Sequence, residues 1–395
     1  MDGIGQERLD YIARAKALGP AIAAAADEVE SGRELPFALV SALTGAGLFR
    51  LLQPRALGGA ELTPVEFAET MGEIARYDAS TAWCVGQGNG CGMAAAFLDP
   101  VVAQEIFGPD AGILAWGPPS SSAEARKVPG GYRLTGSWSF ASGSHNATWL
   151  GAHIVEQGAD GKPLRRADGG TILRSLLFPK TQAQMTDIWR VLGLKGTGSD
   201  MYTVTDLFVP DDHTVLHDPA RHAHHPQRLY RFSFSSLYAS GFAGLALGVA
   251  RAFYDSFVAL AADKTPRGAK ATLRQDDVVQ SQVAQASARL RSARAFLLTS
   301  LDEIWDSVGE TGEVSLDQTA TIRLASTWAI KQAREVVNEL YHAAGATAIF
   351  DEQPFERRFR DINTIAQQMQ GAQRHFETVG GILLGLKPDA TMFTF

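Results

Sequence analysis

Apolar residues recur at helical spacing through an Ala-rich stretch over residues 9–30, and this periodicity predicts a first helix. A second is predicted over 36–49, with Leu39, Val40, Leu43 and Leu48 on one side, ending near Gly47 ahead of a Gly58-Gly59 loop. Thr63-Pro64-Val65-Glu66 reads as a helix start. The Thr hydroxyl is placed to accept from the third amide, Pro has no amide to leave unpaired, and Glu66 is placed to reach back. Asp99-Pro100 opens another helix in the same way, so the chain reads as helical to about residue 107. The period then changes. A Gly130-Gly131 turn precedes alternation over 132–138, and short β-rich runs follow at 148–155, 171–178 and 202–209. They predict a compact antiparallel sheet, with the polar, Gly-rich 158–170 as an exposed hairpin loop. After Pro219 comes a His-rich linker, and helices return from Leu237. Ser315-Leu316-Asp317-Gln318 is a capping-box start for a helix reaching about 344, and a last helix is predicted over 354–386. Four long C-terminal helices with short connections make a bundle. The fold class is therefore mainly α with a central antiparallel β domain, in three blocks: 1–111, 112–218 and 219–395.

Composition narrows the function classes. Apolar residues at 45% and charged residues at 20% are ordinary for a globular protein. A net charge of −7 without a basic tract argues against nucleic acid as a partner. The first 30 residues are acidic and amphipathic, lacking the basic start and apolar core of a signal peptide, and no run reads as a membrane span. The expectation is a cytoplasmic protein with no membrane partner. Cys84 and Cys91 would share a helix face roughly 10 Å apart, too far for a disulfide, and are expected as buried thiols. His222-Ala223-His224-His225 lacks nearby Cys or carboxylate spacing, so no metal site is assigned. Gly196-Thr197-Gly198-Ser199 lacks the Lys of a phosphate loop, and Gly86-Gln87-Gly88 follows no strand.

The runs 340–350 and 359–373, the latter beginning Phe359-Arg360-Asp361, resemble the C-terminal end of the acyl-CoA dehydrogenase family. The segments 136–143 (Gly-Ser-Trp-Ser-Phe-Ala-Ser-Gly), 188–199 and 206–210 look closest to the oxygenase branch, the two-component flavin-dependent monooxygenases. Many dehydrogenases of this family place a catalytic Glu where this chain has Met369 and Gln370, neither of which accepts a proton at neutral pH. The resemblance implies an N-terminal helical domain, a β domain and a C-terminal four-helix bundle. It also implies a monooxygenase that takes reduced flavin (FADH2 or FMNH2) and O2, forms a C4a-hydroperoxyflavin, and hydroxylates or epoxidises an aromatic or heteroaromatic small molecule. The implied partners are a separate NAD(P)H:flavin reductase and further copies of the chain, as a homotetramer or homodimer.

Site residues follow from the same resemblance. Ser142 would reach flavin N5 or O4, with Phe140 and Ala141 along the ring. Trp116, Pro118 and Ser120 would meet flavin and substrate from the other side. Arg267 would pair with the pyrophosphate of a neighbouring subunit's flavin, with Arg274 as rival and an exposed loop position as the alternative. Ala344 and Gly345 would lie against flavin from the partner chain, and Gln370 beside the cofactor. Asn89 and Gln368 stand where phenol-hydroxylating members carry histidines, and would orient substrate or peroxide as catalytic hydrogen-bonding groups. The missing histidines favour an indole-like substrate ahead of a phenol. Alternatives are N-oxygenation of an amine or amino sugar, an acyl-CoA dehydrogenase whose base has moved to Glu335 or Glu339, and a non-enzymatic flavin binder.

Overall fold

In the computed structural model, residues 3–108, 112–158, 162–165, 172–217 and 224–386 are described. Helices α1 (Gly3–Gly32), α2 (Phe37–Gly45), α3 (Pro64–Ala75), α4 (Ala79–Gly92) and α5 (Pro100–Phe107) form the first block. Local chemistry starts three of them. Thr63 Oγ1 accepts from Glu66 N at 3.3 Å while the Glu66 carboxylate accepts from Thr63 N at 2.7 Å, a complete capping box. Asp78 accepts from Thr81 N at 2.6 Å to cap α4, and Asp99 accepts from Val101 N at 2.9 Å to cap α5. Cys84 and Cys91 are both free and buried on α4.

The middle block departs from the single antiparallel sheet expected. Strands β1 (Ile113–Trp116), β2 (Glu124–Val128), β3 (Gly131–Ala141), β4 (Ala147–Val155), β5 (Leu173–Pro179), β6 (Gln184–Thr186), β7 (Asp200–Pro210) and β8 (Thr214–Leu216) form two four-stranded sheets, ordered β1-β4-β5-β8 and β2-β3-β7-β6. Strand β1 runs parallel to β4. Its four residues are apolar throughout, so no alternation marked it as a strand. Inward-facing Leu134, Trp138, Leu150, Leu176, Phe178 and Tyr202 from both sheets share one core, in which Trp138 stacks on Tyr202 with centroids 5.5 Å apart. Of the expected loop at 158–170, residues 159–161 and 166–170 lie outside the described residues, as does His222 of the linker.

Helices α6 (Phe234–Asp263), α7 (Asp277–Thr311) and α8 (Leu316–Ala344) are long, and Ser315 begins α8 with the expected capping box. The last helix is broken, against expectation, into α9 (Glu356–Ile365) and α10 (Arg374–Leu383), with a short turn at Met369–Gly371 between them. The break is built from side chains. Gln368 Oε1 accepts from Gln370 N at 2.6 Å, and the His375 ring bonds Met369 O at 2.7 Å, both replacing helical hydrogen bonds. Helix α6 is long and apolar enough to span a membrane by length and composition, contrary to the sequence expectation. Most of its apolar residues are buried, where it packs on α3, α4 and α8. Close approach to α3 depends on glycine, since a Cβ at Gly244 would lie 2.0 Å from Ala68 O.

Candidate active site

A cavity of about 410 Å³ opens where α4, α6, β1, the end of β3 and the broken α9–α10 connection meet. Its size is that of a small-molecule site. Aromatic rings form the wall. Trp83 stacks on Phe242 with centroids 4.0 Å apart and planes at 15°, and Phe242 stacks in turn on Tyr238 at 5.8 Å. Trp116 Nε1 donates to the Tyr238 hydroxyl at 3.1 Å, which fixes both rings. Gly90 makes room for this wall, because a Cβ there would fall 2.2 Å from the Tyr238 ring.

A chain of hydroxyls runs from the cavity into the protein. Trp83 Nε1 donates to Ser142 Oγ at 3.0 Å, Ser142 Oγ lies 2.6 Å from Ser199 Oγ, and Ser199 Oγ lies 2.7 Å from Thr197 Oγ1. Thr197 donates to the Leu194 carbonyl at 2.9 Å. A carbonyl only accepts, so the last bond orients the whole chain: Ser199 donates to Thr197 and Ser142 donates to Ser199. Ser142 Oγ, already accepting from Trp83, keeps one free acceptor position at the cavity. Beside it Phe140 sits at φ 58° and remains 59% exposed, edge-on to Trp189 at 6.0 Å. A bulky residue held in the left-handed region with its ring uncovered is strained for a purpose other than packing.

Two histidines that sequence reasoning missed also line the cavity. His153 and His217 flank Ser175, whose hydroxyl lies 2.7 Å from one ring and 2.6 Å from the other. Burial pushes His217 down to about 4. Burial, with His217 as a lesser cause, takes His153 well below the usual histidine range. Both are neutral at pH 7. The one available signal was a histidine inside the apolar strand run Ala152-His153-Ile154, a strand buried on both faces.

The broken helix contributes the polar corner. Gln368 and Gln370 line the cavity together with Ser235. Behind them the Arg323 guanidinium, only 3% exposed, donates to Gln370 Oε1 and Ser235 Oγ. Burial, with Arg374 adding, pushes this guanidinium down to about 10.

Of the residues expected at the site, Trp116, Pro118, Phe140, Ser142, Gln368 and Gln370 are brought together on the cavity. Others are placed elsewhere. Asn89 is fully buried with its amide consumed by backbone: Oδ1 accepts from Leu51 N at 2.6 Å, and Nδ2 donates to Leu48 O and Val85 O. It ties α4 to the 48–51 segment and does not reach the cavity. Ser120 bonds Ser122 at 2.9 Å outside it, and Ala141 is buried in the sheet core. Arg267 and Arg274 are exposed in the loop after α6. Ala344 and Gly345 end α8, where Lys264 donates to Ala344 O. Neither Glu335 nor Glu339 lines the cavity; Glu339 pairs with Arg289 at 3.1 Å. Among the described residues no carboxylate lines it at all.

The lining fits a flat heteroaromatic cofactor: an uncovered Phe140 ring and a free acceptor on Ser142. A helical, sheet and helical arrangement around such a cavity is the framework of an acyl-CoA dehydrogenase without its carboxylate base. The acyl-CoA dehydrogenase N-terminal and C-terminal domain families match residues 15–99 and 240–372. Indole-3-acetate monooxygenase of Pseudomonas putida is 30% identical over 389 residues, 95% of this chain and 96% of that protein. The oxygenase component of FADH(2)-dependent resorcinol hydroxylase from a Rhizobium species is 28% identical, over 92% of this chain and 91% of its own. The structure of XiaF from Streptomyces with FADH2 and glycerol superposes with a TM-score of 0.88 at 25% identity, covering 98% of this chain and 97% of that one. The chain belongs to the flavin-dependent monooxygenases built on the acyl-CoA dehydrogenase fold, and is an oxidoreductase.

Proposed function

We propose that this oxygenase takes FADH2 or FMNH2 from a separate NAD(P)H:flavin reductase and oxygenates an electron-rich aromatic or heteroaromatic small molecule, indole-like ahead of phenol. The observation that carries this reading is a cavity of stacked aromatic rings with neutral histidines and, among the described residues, no carboxylate. When bound, the reduced flavin supplies O2 activation and the transferable oxygen. The protein's own residues bind, orient and keep water out. Ser142 offers its free acceptor to a flavin N–H, Phe140 and Trp116 supply ring contacts, and the Trp83-Phe242-Tyr238 stack excludes water.

The two histidines bear on the choice of substrate. A ring pushed to about 4, as His217 is, takes a proton from a phenol poorly, so ionising the substrate is not what this cavity favours. An indole is electron-rich without losing a proton. The relatives' own names include both an indole-3-acetate and a resorcinol substrate. Exposed Ile349 and Phe350 after α8, and exposed Leu383 and Leu384 at the end of α10, support a homodimer or homotetramer. In such an assembly Arg267, Ala344 and Gly345 would serve a neighbouring subunit's flavin. The test is turnover with enzymatically reduced flavin, indole and 18O2. Labelled product is expected. Reduction of bound flavin by an acyl-CoA without air, or N-oxidation of an amine in preference to indole oxygenation, would overturn the reading.

A further inference from the structure

Arg323 is a buried cation. Among the described residues no carboxylate pairs with it; its guanidinium meets two neutral oxygens, Gln370 Oε1 and Ser235 Oγ. Charges near it have the same sign or none. Arg374 adds repulsion, and His375 is pushed down to about 4 by burial and then by Arg323. Desolvating a guanidinium against neutral partners is costly. A protein that keeps this arrangement beside a ligand cavity has a use for an anion.

The hydrogen bonds determine what reaches the cavity. Because Arg323 donates to Gln370 Oε1, that carboxamide turns its NH2 away from the cation. Gln368 Oε1 accepts from Gln370 N, so the NH2 of Gln368 is likewise the group left over. Ser235 Oγ accepts from Arg323 and retains its proton for donation. Three cavity-lining side chains thus offer donors, backed by a buried positive charge.

We propose that this corner is a subsite for a carboxylate carried on the aromatic substrate, so that the enzyme selects aryl acids over their neutral counterparts. The inference rests on the aromatic-oxygenase reading and adds the charge of the substrate to it. Gln370 and Gln368 would grip the carboxylate oxygens and Ser235 would donate a third bond. Arg323 supplies the field. Charge-assisted bonds of this kind are shorter and stronger than neutral ones.

The test measures binding to the flavin-free protein by calorimetry, with indole-3-acetate and indole-3-acetamide as probes of equal shape and different charge. The wild-type protein is expected to bind the acid at least about tenfold more tightly than the amide, the equivalent of one charge-assisted bond. Gln370→Glu places a carboxylate on Arg323 and is expected to abolish that preference; Arg323→Met, which removes the cation, is expected to do the same. Equal affinity for acid and amide, or a preference that survives in both variants, would overturn the proposal. So would loss of reduced-flavin affinity in the variants with acid binding unchanged, which would assign the cation to the cofactor. Oxygenation of indole without any acid preference sinks only the subsite. A preserved acid preference with no oxygenation sinks the activity reading and leaves the subsite standing.

Discussion

The Ser142 and Ser199 hydroxyls lie 2.6 Å apart, although 57 residues separate them in the chain. With Thr197 donating onward to Leu194 O, the Ser142 proton is committed inward, and its oxygen faces the cavity as an acceptor. Ser142→Ala is expected to fold normally and to lower product formed per reduced flavin by about tenfold, the worth of one hydrogen bond, with hydrogen peroxide rising to match. Ser199→Ala frees the Ser142 proton to turn outward and is expected to give a smaller loss. Product and peroxide yields per reduced flavin check both. Unchanged coupling in Ser142→Ala would remove the serine from the oxygenation step.

Gly90 and Tyr238 make a second pair in which one residue exists for the other. A methyl group at position 90 meets the Tyr238 ring at 2.2 Å, and the tyrosine is held by Trp116 Nε1 and cannot simply swing away. Gly90→Ala is expected to destabilise the fold by about 1–3 kcal/mol. Urea unfolding should report it as a shifted midpoint with an unchanged slope. No shift would mean that the ring wall is loosely packed.

Asp361 makes stability depend on pH. Its Oδ1 accepts from Leu194 N at 2.6 Å, but burial raises its carboxyl from 3.8 to about 7, with buried Asp78 a lesser cause. The folded state therefore holds a proton that the unfolded chain has released. This contribution is fully present below 3.8 and is lost as pH rises towards 7. Asp361→Asn keeps the acceptor and removes the charge. Its stability relative to wild type is expected to grow between pH 5 and pH 8, on the order of a few kcal/mol at the top. Thermal melts across that range check it, and a constant difference would refute it.

His153 and His217 act in the opposite direction. Both are depressed by burial, so the stability linked to their neutral forms is present above 6.5 and is lost as pH falls towards about 4. NMR titration of the two rings should find them neutral at pH 5.5. A double variant, His153→Asn with His217→Gln, should lose less stability than wild type between pH 6.5 and pH 4.5. Protonation of either ring near pH 6.5 would show that the cavity is wetter than its lining suggests.

Local chemistry was legible where a few neighbouring residues decide the outcome. The capping boxes at Thr63 and Ser315 form as their sequences require, since the hydroxyl, the amides and the Glu66 carboxylate or Gln318 carboxamide lie within one helical turn. Strand β1 was not legible, because four consecutive apolar residues carry no period. The break after Ile365 was not legible either, since no proline marks it and Gln368 bonds Gln370 N only in the folded turn. Asn89 shows how a polar residue near a site misleads. Its family position pointed to catalysis, while its partners, Leu48 and Leu51, appear only once α4 packs on the preceding segment.

Taken alone, the amino-acid order specified helices, the four longest strands, the family, and the absence of a base at Met369 and Gln370, because each of these is written in spacing or in residue type. Tertiary structure alone decided that Ser142 would point its proton inward, that His153 and His217 would share Ser175, and that Arg323 would meet two neutral oxygens behind the cavity. The reason is physical. Hydrogen-bond direction and charge balance belong to groups that folding brings together from distant parts of the chain, and burial changes what each of them does.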